Sequence, residues 1–171
     1  MAEIKLNRLK EIMKYDPDTG VFIYLVNRGR QRKAGDTVGF VSQKSFHNGG
    51  GYRIIAVDER EYAAHRLAWF YHYGTWPDEF IDHINGLRDD NRISNLRIAT
   101  RSQNMANRSK QSNNTSGLKG VSFNKRARKW VSCIQKEGKY IYLGLHETKE
   151  RAYSVYCRAA KEMFGEFARV T

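Results

Sequence analysis

A stretch of small and polar residues divides the chain into two parts. Residues 109–117 read Ser-Lys-Gln-Ser-Asn-Asn-Thr-Ser-Gly and contain no large apolar side chain. A segment of this kind has nothing to bury in a core, and its composition is typical of a linker. We therefore predict two compact units, residues 1–108 and residues 118–171, joined by a linker at 109–117.

The first part begins with a helical pattern and continues with short strand-like runs. Leu6, Leu9 and Met13 recur at helical spacing and predict a short helix within residues 4–14, which a turn at 15–20 ends. Three β-branched or aromatic runs predict antiparallel strands, with a glycine-rich turn and a charged turn between them. The runs are 21–26, 38–41 and 52–57, and the turns are 48–51 and 58–61.

A buried helix and a hairpin complete this part. Residues 65–73 are dense in Leu, Ala and aromatic side chains and stop at Gly74, which predicts a buried helix with a glycine C-cap. Residues 80–84 and 96–100 predict two paired strands separated by a long polar loop. Thr100-Arg101-Ser102-Gln103 fits a capping box, so a short helix should begin at about Arg101.

The second part repeats the change from strands to helix. Residues 121–123, 130–134 and 140–143 alternate as strands do. Apolar residues then recur every three or four positions from 147 to 164, which predicts one helix packed on that sheet. The fold class expected is α+β, with an antiparallel β-rich N-terminal region and a small C-terminal unit of three strands and a helix.

The charge of the chain indicates a polyanionic partner. There are 30 Lys and Arg residues against 18 Asp and Glu, so the formal net charge is +12. Apolar residues make up 40% of the chain, which excludes a disordered basic tail. Residues 111–171 carry 12 basic and 5 acidic side chains, and they are therefore more densely basic than the rest.

Other classes of protein are excluded by what the sequence lacks. No stretch approaches the roughly 20 apolar residues of a membrane span, and the N-terminus does not resemble a signal peptide. We expect an intracellular, cytoplasmic protein with no membrane partner. Cys133 and Cys157 are not a close pair and are interpreted as small buried apolar residues rather than metal ligands or redox groups.

One region combines the groups that phosphodiester hydrolysis requires. Asp82 and His83 lie on the predicted hairpin, and the carboxamides of Asn95 and Asn104 lie after them. A neutral histidine accepts a proton from water at pH 7. Carboxylate and amide oxygens, such as those of Asp82 and Asn104, suit a hard cation such as Mg²⁺, which neutralises charge and stabilises a leaving oxygen.

This region contains three ordered blocks: Asp82-His83-Ile84-Asn85-Gly86, Asn91-Arg92-Ile93-Ser94-Asn95-Leu96-Arg97 and Ser102-Gln103-Asn104-Met105-Ala106-Asn107. Together they resemble the HNH nuclease motif, or ββα-metal module, in the branch found in phage and intron-encoded homing-type endonucleases. The similarity extends over residues 9–108.

The resemblance implies a role for each polar residue of the motif. His83 would be the general base, and Asn95 would brace the loop and orient the histidine. Asp82 and Asn104 would hold one divalent ion, Mg²⁺ or Mn²⁺. Since adjacent strand residues face opposite sides, the strand must twist or end at Asp82 and His83. His65 is a weaker candidate for phosphate contact or assistance, and His72 and His47 are interpreted as structural or surface residues.

Four stretches of the C-terminal unit form a second pattern: 120–123, 129–132, 142–144 and the predicted helix at 152–164. They resemble the apetala-2 (ethylene-response-factor) DNA-binding domain, a three-stranded sheet backed by a helix. The resemblance implies DNA contacts from the exposed sheet face, with the alternative that Trp130 is core and the arginines form a solvated turn. The candidate contacts are Arg126, Arg128, Trp130, Lys125 and Lys139.

A basic loop in the first part is a further candidate for contact with DNA. Arg30, Arg32 and Lys33 lie in a segment too polar for a core and suited to phosphates, although a solvated loop explains them equally well. Arg97 is a candidate from the HNH-like region.

We therefore predict a DNA endonuclease that acts on double-stranded DNA with one divalent ion and no small-molecule cofactor. Two alternatives remain open: a sequence-specific DNA-binding regulator with a vestigial HNH motif, and an RNA-binding or ribosome-associated protein. The sequence leaves the choice between monomer and homodimer open, and likewise the choice between nicking and double-strand cleavage.

Overall fold

A computed structural model describes residues 4–42 and 51–170 of the chain. The chain divides into two compact units, residues 1–98 and 99–171. This boundary precedes the one predicted at the polar segment 109–117, because the short helix after the hairpin belongs to the second unit. His47 and all of the predicted turn 48–51 except Gly51 lie outside the described residues.

Unit 1 is built from small sheets and two helices. Strands β1 and β2 pair antiparallel, β3, β4 and β5 form an antiparallel sheet in that order, and β6 pairs with β7. Its elements are α1 (Leu6–Ile12), β1 (Met13–Asp16), β2 (Val21–Tyr24), β3 (Phe40–Val41), β4 (Arg53–Val57), β5 (Arg60–Ala63), α2 (Ala64–Tyr73), β6 (Phe80–His83) and β7 (Leu96–Ala99).

The core of unit 1 forms where α1 and α2 pack with the small sheets. Leu9 of α1, Phe22 of β2, Ile55 of β4 and Leu67 of α2 are all almost fully buried in one cluster. Helix α2 ends as predicted, because Gly74 adopts a left-handed φ of 80° and its N–H donates to the Phe70 carbonyl. The buried helix predicted over 65–73 is therefore confirmed.

Two strands of unit 1 were not predicted. Met13 was predicted to lie in the first helix, but it is the first residue of β1. In this strand Met13 and Tyr15 are buried, whereas Lys14 and Asp16 are exposed. Asp58 and Glu59 both adopt positive φ, at 44° and 65°, which makes a two-residue hairpin turn. The predicted turn at 58–61 is thus too long, and β5 begins within it at Arg60.

Unit 2 is a three-stranded antiparallel sheet with one long helix packed on it. The strand order is β10-β9-β8, and Ala152, Tyr156, Ala160 and Phe164 form the buried side of the long helix. The predicted strands and helix are confirmed, and the strands extend beyond the predicted bounds. The elements are α3 (Arg101–Ala106), β8 (Val121–Asn124), β9 (Lys129–Lys136), β10 (Lys139–His146) and α4 (Lys149–Phe164).

The polar segment 109–117 is held in place within unit 2. Ser116 is buried, and its Oγ lies 2.7 Å from the Val121 carbonyl oxygen, to which it donates. The amide N–H of Gly117 donates to Asn114 Oδ1 at 2.7 Å. Hydrogen bonds thus order this segment in place of apolar contacts.

The described residues together form an α+β fold, as predicted. None of the helices in this part of the chain has the length and apolar character required to cross a membrane. Cys133 and Cys157 are free thiols, and both are half-buried rather than fully buried.

The capping box of α3 yields the first prediction. Gln103 N donates to Thr100 Oγ1 at 3.3 Å, and Thr100 N donates to Gln103 Oε1 at 2.7 Å. We expect Thr100→Ala to lower the free energy of unfolding by about 1 kcal/mol, because an N-terminal amide of the helix loses its acceptor. Urea denaturation followed by circular dichroism measures this change. Thr100→Ser keeps the hydroxyl and should retain most of the stability; equal loss in both variants would contradict the capping role.

Candidate active site

The candidate catalytic residues Asp82 and His83 lie where strand β6 ends. Their side chains are only 3% and 4% exposed. Immediately after His83 the chain turns, and the Gly86 N–H donates to the His83 carbonyl at 2.8 Å. Because strand β6 ends at His83, the side chains of Asp82 and His83 need not face opposite sides of the sheet.

Asp82 forms an ion pair with Arg97 on the neighbouring strand β7. Nε and Nη2 of Arg97 each lie 2.9 Å from Oδ2 of Asp82. The Arg97 side chain is 13% exposed, so the pair is largely shielded from solvent. Arg97 was predicted to contact DNA, whereas the contact observed is with the candidate metal ligand.

Asn95 ties together two points of the loop between β6 and β7. Its side chain is buried, Nδ2 donates to the Asp90 carbonyl at 2.8 Å, and Oδ1 accepts from the Asn85 N–H at 3.0 Å. In addition, the Ile84 N–H donates to the Asn95 carbonyl at 2.9 Å. These bonds hold the turn after His83 against the start of β7.

The acidic residues of this loop are paired with arginines. Asp90 accepts from Arg92 Nη2 at 2.6 Å and from Asn85 Nδ2 at 2.6 Å. The bonds from Arg92 hold the pKa of Asp90 down at about 2, so its carboxylate is ionised. Asp89 Oδ1 accepts from Arg53 Nε of β4 at 2.8 Å.

The His83 imidazole lies in an aromatic environment that includes a second histidine. The ring centroids of His65 and Tyr52 are 5.1 Å and 6.0 Å from that of His83. The Nδ1 atom of His65 is buried and has no hydrogen-bond partner among residues 4–42 and 51–170. Tyr52 was not singled out from the sequence, since nothing distinguishes it from the other aromatic residues near a strand.

Burial determines the protonation of both histidines. Burial lowers the pKa of His83, while the Asn91 carboxamide and the Asp82 and Asp90 carboxylates oppose this lowering. Burial, together with the charge of His83, lowers the pKa of His65 to about 3. Both imidazoles are therefore neutral at pH 7, and a neutral imidazole is the form that accepts a proton.

The remaining candidate ligand, Asn104, lies on helix α3 of unit 2, whereas Asp82, His83 and Asn95 belong to unit 1. Asn104 is half-buried, and its backbone N–H donates to the Thr100 carbonyl at 3.0 Å. The capping box fixes the residue at which α3 begins, and it therefore fixes the position of Asn104 along the helix.

The chemistry of the candidate ligands fits a hard divalent cation. No cluster of three or more His, Cys, Asp or Glu side chains suited to a metal occurs in the described part of the chain. The two candidate ligands named from the sequence, the Asp82 carboxylate and the Asn104 carboxamide, each offer oxygen donors, and Mg²⁺ is commonly held by one or two carboxylates while it keeps several waters.

The candidate DNA contacts of unit 1 lie on an ordered loop. Arg30, Arg32 and Lys33 are exposed, and the Arg28 N–H donates to the Arg32 carbonyl at 2.8 Å. The Arg28 side chain is held by Asp58, whose Oδ1 accepts from Arg28 Nη2 at 3.1 Å. Hydrogen bonds therefore hold the backbone of this loop in place, while the side chains of Arg30, Arg32 and Lys33 extend into solvent.

The candidate DNA contacts of unit 2 lie at different places on its sheet. Lys125, Arg126 and Arg128 are exposed on the turn between β8 and β9, and Lys139 is exposed at the start of β10. Trp130 is half-buried and packs on Phe123, with ring centroids 5.0 Å apart.

Strand alternation places Trp130 on the side of the sheet that α4 covers. Ser132 and Ile134 follow it at intervals of two along β9, and both are buried. A DNA contact from Trp130 would use the opposite, exposed face, whereas the alternative from the sequence places this side chain in the core.

The bracing contacts of Asn95 yield the second prediction. We expect Asn95→Ala to lower the free energy of unfolding by about 1–3 kcal/mol, because the substitution leaves two backbone groups of the loop without partners. Amide hydrogen exchange at Asn85 should accelerate, and urea denaturation measures the stability. Ser94→Ala, at an exposed neighbouring position, is the matched control. Unchanged exchange at Asn85 in the Asn95 variant would show that the loop does not depend on this side chain.

Comparison with known proteins identifies the region just described. A family model described as HNH endonuclease matches residues 62–106, from β5 through α3. Protein 3.8 of Escherichia phage T7 is 36% identical over 90 residues, which is 53% of this chain and 74% of that protein.

A second relative extends over most of the chain. An uncharacterized HNH endonuclease of Acanthamoeba polyphaga mimivirus is 31% identical over 156 residues, which is 88% of this chain and 81% of that protein. Because this similarity covers most of both proteins and the family model spans the β6–β7 hairpin, the chain belongs to the HNH endonuclease family.

Proposed function

We propose that the protein is a DNA endonuclease in which His83 is the general base. The observation that carries the proposal is the buried Asp82–His83 pair at the end of β6, held on a loop that Asn95 braces. Membership of the HNH endonuclease family supports nuclease activity in general. The choice of DNA, rather than RNA, rests on the resemblance to phage and intron-encoded enzymes.

The roles of the side chains follow from their contacts. His83 is neutral at pH 7 and accepts the proton of the attacking water. Asn95 keeps the turn after His83 in place, and Arg97 fixes the Asp82 carboxylate. Asp82 and Asn104 are the proposed ligands of a divalent cation. When bound, Mg²⁺ or Mn²⁺ would neutralise phosphate charge and stabilise the departing 3′ oxygen.

The basic surfaces of both units are proposed to hold the DNA. The exposed loop with Arg30, Arg32 and Lys33 suits phosphate contacts. The turn 125–128 carries three exposed cations, and unit 2 is a three-stranded sheet with one helix packed on it. We propose that this unit is a DNA-binding module.

Cleavage of supercoiled plasmid tests the assignment of the base. We expect wild-type protein with Mg²⁺ or Mn²⁺ to convert plasmid that carries a target into nicked or linear forms. His83→Ala should lower the rate by about 10²–10⁴-fold, because the water loses its general base. Agarose gel electrophoresis follows the conversion.

A matched histidine variant controls for this experiment. His72→Ala removes an exposed imidazole of α2 and should cleave like the wild type. Equal cleavage by the His83 variant would refute the assignment of the base. Plasmid left intact by wild-type protein with both metals would favour a DNA-binding regulator instead.

The salt dependence of binding tests the role of unit 2. Neutralising the three cations of the turn 125–128 should weaken DNA binding and flatten the plot of log K against log salt by about 0.9 for each phosphate that the protein no longer neutralises. Fluorescence anisotropy with a labelled duplex measures both quantities. The substitutions are Lys125→Gln, Arg126→Gln and Arg128→Gln.

The control for that experiment carries the same change in net charge on helix α4. Three exposed cations of this helix are replaced, by Arg151→Gln, Arg158→Gln and Lys161→Gln. If the turn 125–128 contacts DNA, its triple variant should reduce the slope of log K against log salt more than the triple variant of helix α4 does. Equal slopes in the two triple variants would show that only net charge matters.

A further inference from the structure

The turn that follows His83 carries two exposed apolar side chains. Ile84 is 46% exposed and Leu87 is 57% exposed. The corner positions of such turns usually hold Gly, Pro, Asn, Asp or Ser, whose conformations or side-chain hydrogen bonds suit the turn. An isoleucine at a corner, followed by an exposed leucine, gains little from burial within this chain, so both side chains are available to contact another molecule.

The backbone of this turn is fixed by local hydrogen bonds. The Gly86 N–H donates to the His83 carbonyl at 2.8 Å, and the Leu87 N–H donates to Asn85 Oδ1 at 2.8 Å. The Asp90 N–H in turn donates to the Leu87 carbonyl at 3.1 Å. The backbone of Leu87 is therefore held at both its N–H and its carbonyl, so its exposed side chain extends from a fixed position.

The charges around the turn permit a polyanion to approach. The two acidic residues that follow Leu87 are each paired with an arginine, Asp89 with Arg53 and Asp90 with Arg92. Their negative charge is thus locally compensated, and the turn does not repel phosphates as two unpaired carboxylates would.

The position of the turn places it beside the reacting phosphate. If His83 is the general base, the phosphate must come close to an imidazole that is almost completely buried, and it must pass the exposed side chains around it. Ile84 directly follows His83, and consecutive Cα atoms lie only about 3.8 Å apart. The nucleic acid segment next to the cut is therefore the molecule that these side chains meet.

We propose that Ile84 and Leu87 form an apolar wedge that packs against the base pairs next to the phosphodiester that is cut. The inference rests on the proposed nuclease function. Stacked bases are the apolar part of duplex DNA, and Leu or Ile side chains inserted at a base step partly unstack it. The wedge distorts the duplex at the position where the phosphate must reach His83.

Fluorescence of 2-aminopurine tests this proposal. The position that wild-type protein cuts is first mapped by sequencing the ends of cleaved plasmid. Duplexes with 2-aminopurine beside that position are then mixed with the full-length chain in EDTA. Fluorescence should rise with the wild type and with Leu87→Met, which keeps an apolar side chain, but not with Leu87→Asn. The kcat/KM of Leu87→Asn should fall about 10-fold, as expected for loss of leucine burial.

Controls separate the wedge from folding and from the nuclease assignment. Because Leu87 is exposed, the asparagine variant should unfold at the temperature of the wild type. Tyr73→Asn replaces another exposed side chain, at the far end of α2, and should behave as wild type.

Two results would overturn the wedge but leave the nuclease function standing. One is that Leu87→Asn gives the same fluorescence rise and the same kcat/KM as the wild type. The other is that Tyr73→Asn loses as much fluorescence and kcat/KM as Leu87→Asn does. Failure of wild-type protein to cut any DNA would overturn the nuclease function, and the wedge with it.

Discussion

The buried carboxamide of Asn95 is the contact on which the candidate active site depends. It joins the backbone at Asn85 to the backbone at Asp90, and both lie in the loop that follows His83. A buried amide with both ends bonded is costly to replace, because the loss of either end leaves a polar group without water or a partner. The loop of residues 84–95 therefore keeps one conformation although few of its side chains are buried.

Two electrostatic effects act on the residues beside this loop. Burial favours the neutral form of His83, which is the form a general base needs before it accepts a proton. The Asp82 carboxylate is also buried, and Arg97 of the neighbouring strand forms an ion pair with it.

Much of the fold was accessible from sequence patterns, and the failures have identifiable causes. The end of α2 and the start of α3 were predicted correctly because Gly74 and the Thr100–Gln103 capping box act locally. Strands β1 and β5 were missed for two different reasons. Met13 continues a helical spacing, and its place in β1 follows from burial against the core. The turn at Asp58 and Glu59 uses two non-glycine residues at positive φ, which composition does not indicate.

The candidate site likewise combines features that the sequence indicates with features that arise only from the packed fold. The sequence by itself determined which residues are the candidates for the chemistry, since Asp82, His83, Asn95 and Asn104 are recognisable by type and spacing in the HNH-like blocks. Only the tertiary structure decided what surrounds them: the pairing of Arg97 with Asp82, and the rings of Tyr52 and His65 beside His83. Motif spacing is a property of neighbouring residues. Burial and ion pairing instead depend on residues far apart in the chain, which only the packed fold brings together.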